Sequence, residues 1–303
     1  VFKDCSNLTA IKFGSGVEYA DTNCFKGCIA LDTIKFNQTM TSLGGGVFSD
    51  CTSLVEVKDM PNSLKDWVAV TSSTGYGFGN SMFAGCTALK SVELPIYITQ
   101  IPESVFAGCT SLNAVYNADN ITSVGESAFK GCTALLEVVF PKVNIIKDNA
   151  FSGCSAMKTF EVGTCREVGK SALEGCSSLK KIDLQSGEYG DYVFKNCTAA
   201  ETIVIYGGME KTPVGMFSGC EKLIRVMGDF SKVAIVSEST FANCKALTQL
   251  SLPSIVIIED AAFSGCESLK SISDGDIKAE DLKWDMKLNS TGEEVPFRYE
   301  IID

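Results

Sequence analysis

The stretch Ala128–Leu135, which reads Ala-Phe-Lys-Gly-Cys-Thr-Ala-Leu, decides the fold of this chain. Its core is an apolar residue, two variable residues and a cysteine, and this core returns twelve times along the 303 residues. The copies are Phe2/Cys5, Phe25/Cys28, Phe48/Cys51, Phe83/Cys86, Phe106/Cys109, Phe129/Cys132, Phe151/Cys154, Leu173/Cys176, Phe194/Cys197, Phe217/Cys220, Phe241/Cys244 and Phe263/Cys266. Successive cysteines lie 21 to 24 residues apart at every step but one. This period predicts a solenoid, because one such unit cannot bury its apolar face alone.

Each unit also predicts its own local structure. Three residues after the repeat cysteine comes an apolar residue, such as Leu135. Three residues after that comes an apolar residue that favours strands, such as Val138. With the alternation that ends it, this pattern predicts one short strand per coil, and stacked coils give a parallel sheet. The residue before each cysteine is Gly, Asn or Asp, which tolerate a left-handed backbone. A short helix or 3₁₀ turn around Phe129 is therefore expected to end at Gly131.

The repeated pattern resembles the BspA-like leucine-rich repeat family of surface proteins. Leu250–Pro253 followed by Ile258–Cys266 matches the family's unit, and the resemblance extends from Val1 to about Ile272. It implies a right-handed leucine-rich-repeat solenoid of about twelve repeats of 21–24 residues. Parallel strands would line the concave side, with short helical or 3₁₀ and extended segments on the other side. The resemblance also implies adhesion to macromolecules of a host or of neighbouring cells, and an extracellular or cell-surface location.

The solenoid is expected to span residues 1–273 with an insertion at about 59–80, where two successive cysteines are 35 residues apart. Leu64–Val70 is predicted as an added strand, followed by a flexible turn over Thr71–Gly75. Insertions in solenoids map to loops and often carry binding. The alternative is a bulge whose aromatic side chains pack back onto the stack.

Residues 274–303 are predicted to form a β-hairpin. Leu282–Leu288 and Val295–Ile301 both alternate with period 2, and Asn289–Gly292 lies between them. The hairpin would cover the last coil, since an open end exposes core and strand edge. The alternative is the start of a following domain. Because the chain begins in the middle of a repeat, we expect it to be a trimmed or mature fragment, so the missing signal peptide carries no information about location.

Composition limits the partners of this chain. The net charge of −11 and pI near 4.7 disfavour nucleic acid and anionic lipid, which require a basic surface. No apolar run is long enough to cross a membrane, so no membrane insertion is expected. Twelve of the fourteen cysteines occupy the repeat position. Stacked cysteines would have parallel Cβ vectors, so we predict a ladder of reduced, buried thiols.

The residue inventory argues against an enzyme. The chain has no histidine, which removes Ser-His and Cys-His nucleophile pairs and every zinc site that needs imidazole. It has no Cys-x-x-Cys, and Gly44–Gly46 lacks the lysine and the context of a phosphate loop. We therefore predict no catalytic residues, no metal and no cofactor.

Function is expected on the sheet, at the outward position between the buried columns. Its first three members are lysines, and later members include Tyr116, Val139, Val204 and Met227. The candidate ligand-binding residues are Trp67, Tyr76, Phe78, Tyr116, Val139, Tyr206 and Met227. Exposed aromatic and apolar side chains would suit an extracellular protein or glycan ligand of a monomeric binding module. The alternatives are scattered surface hydrophobic residues without function, and a passive spacer or scaffold of a larger surface protein.

Overall fold

The fold was analysed in a computed structural model that describes residues 1–66, 68–69, 75–206, 208–272, 277–278, 282–288 and 294–301. The chain divides into two compact units, residues 1–164 and 165–303. Each unit is a stack of coils in which the repeated phrase forms the buried turn and parallel strands form the sides. The predicted solenoid of parallel strands is therefore confirmed.

The first unit pairs its strands between consecutive coils. They are β1 (Ala10–Lys12), β2 (Tyr19–Ala20), β3 (Thr33–Lys35), β4 (Ser42–Leu43), β5 (Glu56–Val57), β6 (Val68–Ala69), β7 (Gly75–Tyr76), β8 (Ser91–Glu93), β9 (Gln100–Ile101), β10 (Ala114–Tyr116), β11 (Ser123–Val124), β12 (Glu137–Phe140), β13 (Ile145–Ile146) and β14 (Thr159–Val162). On one side, β1 pairs with β3, β8 with β5 and β10, and β12 with β14, all in parallel. On the next side, β2 pairs with β4, and β11 with β9 and β13, also in parallel.

The second unit continues this pattern and ends in antiparallel strands. Its strands are β15 (Cys165–Val168), β16 (Lys181–Tyr189), β17 (Thr202–Tyr206), β18 (Arg225–Met227), β19 (Ile235–Val236), β20 (Gln249–Leu250), β21 (Ile257–Glu259), β22 (Ser271–Ile272), β23 (Ile277–Lys278), β24 (Leu282–Leu288) and β25 (Glu294–Ile301). The long β16 pairs in parallel with both β15 and β17. β24 and β25 form an antiparallel hairpin, and β25 adds antiparallel to β21 of the last coil. The capping role of residues 274–303 stays a prediction.

The core consists of columns of identical side chains. In the first unit the rings of Phe2, Phe25, Phe48, Phe83, Phe106, Phe129 and Phe151 stack with centroid separations of 5.3–5.9 Å. In the second unit Phe194, Phe217, Phe241 and Phe263 stack at 5.1–5.8 Å. Leu173 takes the aromatic position in its own coil and is fully buried. Burial of one large ring per coil is the main apolar contribution to the stack.

The residue before each of the twelve repeat cysteines has a positive φ, as the sequence predicts. These residues are Asp4, Gly27, Asp50, Gly85, Gly108, Gly131, Gly153, Gly175, Asn196, Gly219, Asn243 and Gly265. Four positions earlier, a second left-handed residue opens the phrase, such as Ser127 before Ala128. The sequence reading did not identify this second column.

Of the two expected forms, a short helix or a 3₁₀ turn, the described residues take the form of tight turns and not of a helix. Left-handed residues at Ser127 and Gly131 leave only three residues between them, which is too few for a helix. The Cys132 N–H donates to the Phe129 carbonyl at 3.1 Å, and the Leu135 N–H donates to the Cys132 carbonyl at 3.1 Å. The phrase is therefore a chain of tight turns.

The insertion leaves the stack as a small hairpin of β6 and β7, where the sequence predicts one added strand. At its base the Phe78 N–H donates to the Lys65 carbonyl at 2.9 Å. A Cβ on Gly77 would lie 2.5 Å from that carbonyl oxygen, so the base closes only because residue 77 is glycine with φ +98°. After the hairpin, Phe78 re-enters the stack opposite Leu43.

Candidate functional site

The candidate site is the row of outward side chains on one side of the first unit, here called the strand row. It contains Lys12, Lys35, Lys58, Glu93, Tyr116, Val139 and Glu161, one from each consecutive coil. Every member is exposed except Glu93, which is half-buried. The side chains point outward because the residue before each of them is an apolar residue that faces the core, such as Val115 and Val138.

The chemistry of the strand row changes along the stack. Lys12 and Lys35 occupy paired positions of β1 and β3. Lys58 makes an ion pair of 2.9 Å with Glu56 of its own coil. Glu93 comes next, in register with Tyr116. Tyr116 and Val139 then make the row apolar, and it ends at Glu161, which is paired in register with Val139. One end of the row is thus basic, the far end is acidic, and the half-buried Glu93 lies between the lysines and the apolar residues.

The middle of the row carries the exposed apolar side chains of Tyr116 and Val139, and Leu136 is exposed three residues before Val139 in the same coil; the three residues are here called the apolar patch. The exposed fractions of Tyr116, Leu136 and Val139 are 53%, 47% and 48%. Leu136 immediately precedes β12, and its carbonyl accepts a hydrogen bond of 2.8 Å from the Lys158 N–H. Three large apolar side chains from two consecutive coils are the kind of surface that protein interfaces bury.

Leu136 was not identified from the sequence. A partial signal existed, because the equivalent position holds the polar residues Asn113 and Lys158 in the two adjacent coils. The column is not polar throughout, since Val55 and Ile224 occupy it in other coils, and both are exposed as Leu136 is. The pattern was obscured by Leu135, the neighbouring core residue, which is buried.

The structure treats the predicted ligand-binding residues differently. Tyr116 and Val139 lie in the apolar patch, and Met227 is 47% exposed at the end of β18 in the second unit. Phe78 corrects the prediction: it is fully buried, so it packs in the core and cannot reach a surface ligand. Trp67 lies outside the described residues, and Tyr76 and Tyr206 are described only as backbone within β7 and β17. Their binding roles stay predictions.

The cysteines take part in the packing. Within each unit, the thiol of a repeat cysteine donates to a carbonyl of the coil before it. The acceptor is the apolar residue that begins the repeat core of that coil, so that Cys132 Sγ donates to the Phe106 carbonyl at 3.1 Å. All fourteen are free thiols. Burial raises the pKa of Cys109, Cys154 and Cys220 to about 12. These thiols are therefore protonated at neutral pH and poor nucleophiles.

A cavity of about 620 Å³ lies in the first coils and is lined by residues that include Phe2, Ile11 and Phe25, and also Lys12 of the strand row. A smaller one of about 190 Å³ is lined by polar groups that include Gln100, Glu103 and Lys147. Within the described part of the chain, no group of three or more acidic or cysteine side chains could hold a metal ion. No helix in that part is long and apolar enough to cross a membrane.

Comparisons with known proteins match this architecture. A family model described as the BspA type leucine rich repeat region, in six copies, matches residues 1–68, 76–189, 123–246 and 234–277. A leucine-rich repeat protein from Bacteroides ovatus ATCC 8483 is similar in structure, with a TM-score of 0.70 and 23% identity over 89% of this chain and 74% of that chain. A leucine rich cell surface protein from Faecalibacterium prausnitzii A2-165 gives a TM-score of 0.54 and 23% identity over 88% of this chain and 79% of that chain. A search of curated proteins finds no match.

Proposed function

Because the chain belongs to the BspA-type leucine-rich repeat family, we propose that it is a non-enzymatic binding module of a bacterial cell surface or secreted protein. In this proposal it adheres to protein or glycan molecules of a host or of neighbouring cells. The contacts are made by the strand row of the first unit, assisted by the inserted hairpin of β6 and β7. The chain acts as a monomer that displays this surface.

The observation that carries the proposal is the apolar patch. Tyr116, Leu136 and Val139 are each about half exposed, although the equivalent positions of neighbouring coils hold mostly charged or polar side chains. Exposed apolar area is costly in water and is recovered when a partner covers it. Interface cores are enriched in tyrosine, which brings large contact area with little loss of side-chain entropy.

Three further observations support a binding role. The chain has no histidine, which is the commonest general base. The core thiols, which would be its strongest potential nucleophiles, are buried and held in the protonated form by that burial. The strand row also lies on regular parallel strands, and rigid elements hold an interface in place at little entropic cost.

The test is a binding screen of the purified chain, immobilised, against extracellular-matrix proteins, mucins and glycan arrays. The wild type is compared with the double variant Tyr116→Ala/Val139→Ala and with Val256→Ala, which removes a side chain that is 64% exposed in the second unit. We expect at least one ligand, with binding lost in the double variant and retained in Val256→Ala. Absence of binding across the panel would favour a passive spacer and overturn the proposal.

A further inference from the structure

Building on the proposed function, we propose that the strand row recognises an extended polypeptide segment with acidic side chains at one end and an apolar anchor about four to five residues away. The acidic side chains would lie over Lys12 and Lys35, and the anchor would cover the apolar patch. The inference rests on the order of charges along the row and on the spacing of its coils.

The basic end of the row carries unneutralised charge. Lys12 and Lys35 are register partners in adjacent parallel strands, and both are exposed. Among the described residues neither has a carboxylate within ion-pair distance, whereas Lys58 in the next coil is paired with Glu56. Like charges directly opposite each other repel, and a carboxylate placed between them relieves that repulsion. Two adjacent free lysines are notable in a chain with a net charge of −11.

The acidic end of the row sets the direction of the segment. Glu137 and Glu161 are exposed in the two coils that carry β12 and β14, next to Val139. A segment bound in reverse would place its carboxylates against these glutamates, and like-charge contacts at an interface are strongly unfavourable. The lysines and these glutamates therefore favour acidic side chains on the Lys35 side of the anchor. Glu93, which lies between Lys58 and Tyr116, favours an uncharged stretch between the acidic side chains and the anchor.

The coil spacing sets the length of the segment. Lys35 and Tyr116 are three coils apart, since Lys58 and Glu93 lie between them in the row. Neighbouring strands are about 4.8 Å apart, so the two positions are separated by about 14 Å. An extended chain advances about 3.3 Å per residue, and the separation therefore corresponds to four to five residues.

The test uses fluorescein-labelled synthetic peptides and fluorescence anisotropy at low ionic strength. The probe carries two glutamates, four Gly/Ser residues and Phe-Leu. One comparison peptide replaces the glutamates by lysines, and another replaces Phe-Leu by Gly-Ser. The protein variants are Lys12→Glu/Lys35→Glu, Tyr116→Ala/Val139→Ala and, as a control with the same charge change, Lys130→Glu/Lys222→Glu. Both control lysines are exposed and lie outside the strand columns.

We expect the probe to bind the wild type and the control equally, and to bind each of the other two variants at least about tenfold more weakly. Raising the salt concentration should weaken binding. The lysine peptide should bind the Lys12→Glu/Lys35→Glu variant more tightly than it binds the wild type. Loss of folding cannot produce such a gain in binding. Thermal unfolding of each variant checks that the exposed substitutions leave the fold intact.

The outcomes separate this inference from the proposed function. Failure of the wild type to bind the probe, or equal binding by the Lys12→Glu/Lys35→Glu variant, overturns the acidic-segment inference. If the panel ligand of the earlier screen still requires Tyr116, the proposed function survives that result. Competition by a sulfated glycan at the lysines, with no effect of Tyr116→Ala/Val139→Ala, would also overturn the inference and identify a glycan ligand.

Discussion

At the scale of single residues, the fold explains why cysteine occupies the repeat position. The Phe106 carbonyl accepts one hydrogen bond from the Cys109 N–H at 3.0 Å within its own turn. It accepts a second from Cys132 Sγ of the next coil at 3.1 Å. Cysteine is small, apolar and still a donor, so it fills the core and uses the second lone pair of a buried carbonyl. Alanine would pack similarly but leave that lone pair unused.

These thiols make stability depend on alkaline pH. Burial raises the pKa of Cys109 to about 12, against about 8.5 for a thiol in an unfolded chain. The stabilisation is therefore complete below about pH 8.5 and is lost as pH rises towards the folded value. Between these limits each such thiol lowers the free energy of unfolding by about 1.4 kcal/mol per pH unit.

The measurement is urea denaturation in reducing buffer from about pH 7.5 to 10.5. Cys109→Ala should be less stable at neutral pH but should lose stability less steeply with rising pH, by up to about 1.4 kcal/mol per unit. An unchanged slope would mean that this thiol does not titrate with unfolding.

The reduced state of the cysteines is tested separately by thiol titration of denatured, unreduced protein, for which we expect fourteen free thiols.

The column before the cysteines follows a packing rule that only the structure reveals. In some coils the residue before the repeat cysteine is Asp or Asn, and its side chain lies over the next coil. In that next coil the residue before the cysteine is always glycine. The pairs are Asp4/Gly27, Asp50/Gly85, Asn196/Gly219 and Asn243/Gly265. A Cβ on Gly85 would lie 2.3 Å from Asp50 Oδ1, whereas a Cβ on Gly131 would lie 3.9 Å from the Gly108 Cα, its nearest neighbour.

Two asparagine substitutions test this rule. Gly85→Asn and Gly131→Asn start from nearly the same φ, +75° and +73°, so the backbone cost is shared. Gly85→Asn must displace the Asp50 side chain, and we expect it to be less stable than Gly131→Asn by about 1–3 kcal/mol. The readout is the urea midpoint of each variant against the wild type. Equal midpoints would show that Asp50 moves aside freely.

At the scale of elements, the sequence predicted those features that depend on a residue type repeated at the same position in each coil. Stacked parallel strands, buried phenylalanines and left-handed residues such as Gly131 follow from side-chain type repeated in register. The turn conformation did not follow, because the second left-handed column holds residue types as different as Ser127 and Tyr192. Sequence propensity does not show that these residues take a left-handed backbone.

The candidate site could also be predicted only in part, as the inserted hairpin shows. Phe78 was grouped with Trp67 and Tyr76 as a possible ligand contact, because the insertion has no repeat register to follow. The structure places Phe78 at the core position of the next strand column, opposite Leu43, and buries it completely. Leu136 was missed for the opposite reason, since its chemistry matches the core while its position faces solvent.

Asp66 anchors the base of this hairpin. Its carboxylate accepts hydrogen bonds from the Thr99 N–H at 2.6 Å, the Gln100 N–H at 3.0 Å and the Thr99 hydroxyl. The insertion directs the chain away from the stack at this point, and the carboxylate serves as acceptor for the next coil. Charge-assisted bonds to backbone N–H groups are stronger than neutral ones, and their loss leaves donors without a partner.

We expect Asp66→Ala to lower the free energy of unfolding by about 2–3 kcal/mol. Asp119→Ala removes an exposed carboxylate two coils after Asp66 and should change the free energy of unfolding by less than about 0.5 kcal/mol. Urea denaturation of both variants gives the comparison. A matching loss in Asp119→Ala would indicate a general effect of charge and would remove the anchoring role of Asp66.

At the scale of the whole molecule, stability and function draw on different parts of the same repeat. The inward columns are nearly uniform from coil to coil, so each coil contributes a similar packing term with its neighbours. The outward strand row is not uniform, and its change from Lys12 to Tyr116 to Glu161 leaves the core columns unchanged. A surface on such a frame can vary in chemistry at little cost to the fold.

The position of a coil in the stack should therefore decide the cost of losing its aromatic ring. Phe129 is fully buried and stacks on Phe106 and Phe151, both at 5.3 Å, whereas Phe2 is 47% exposed and stacks only on Phe25. Phe129→Ala opens a cavity between two coils and should cost about 3–5 kcal/mol. Phe2→Ala loses one half-exposed contact and should cost less than about 1.5 kcal/mol. Lys35→Ala, on the outward row, should stay within about 0.5 kcal/mol of the wild type. Urea midpoints measured together should fall in that order, and equal midpoints for the two phenylalanine variants would contradict a stack stabilised by nearest neighbours.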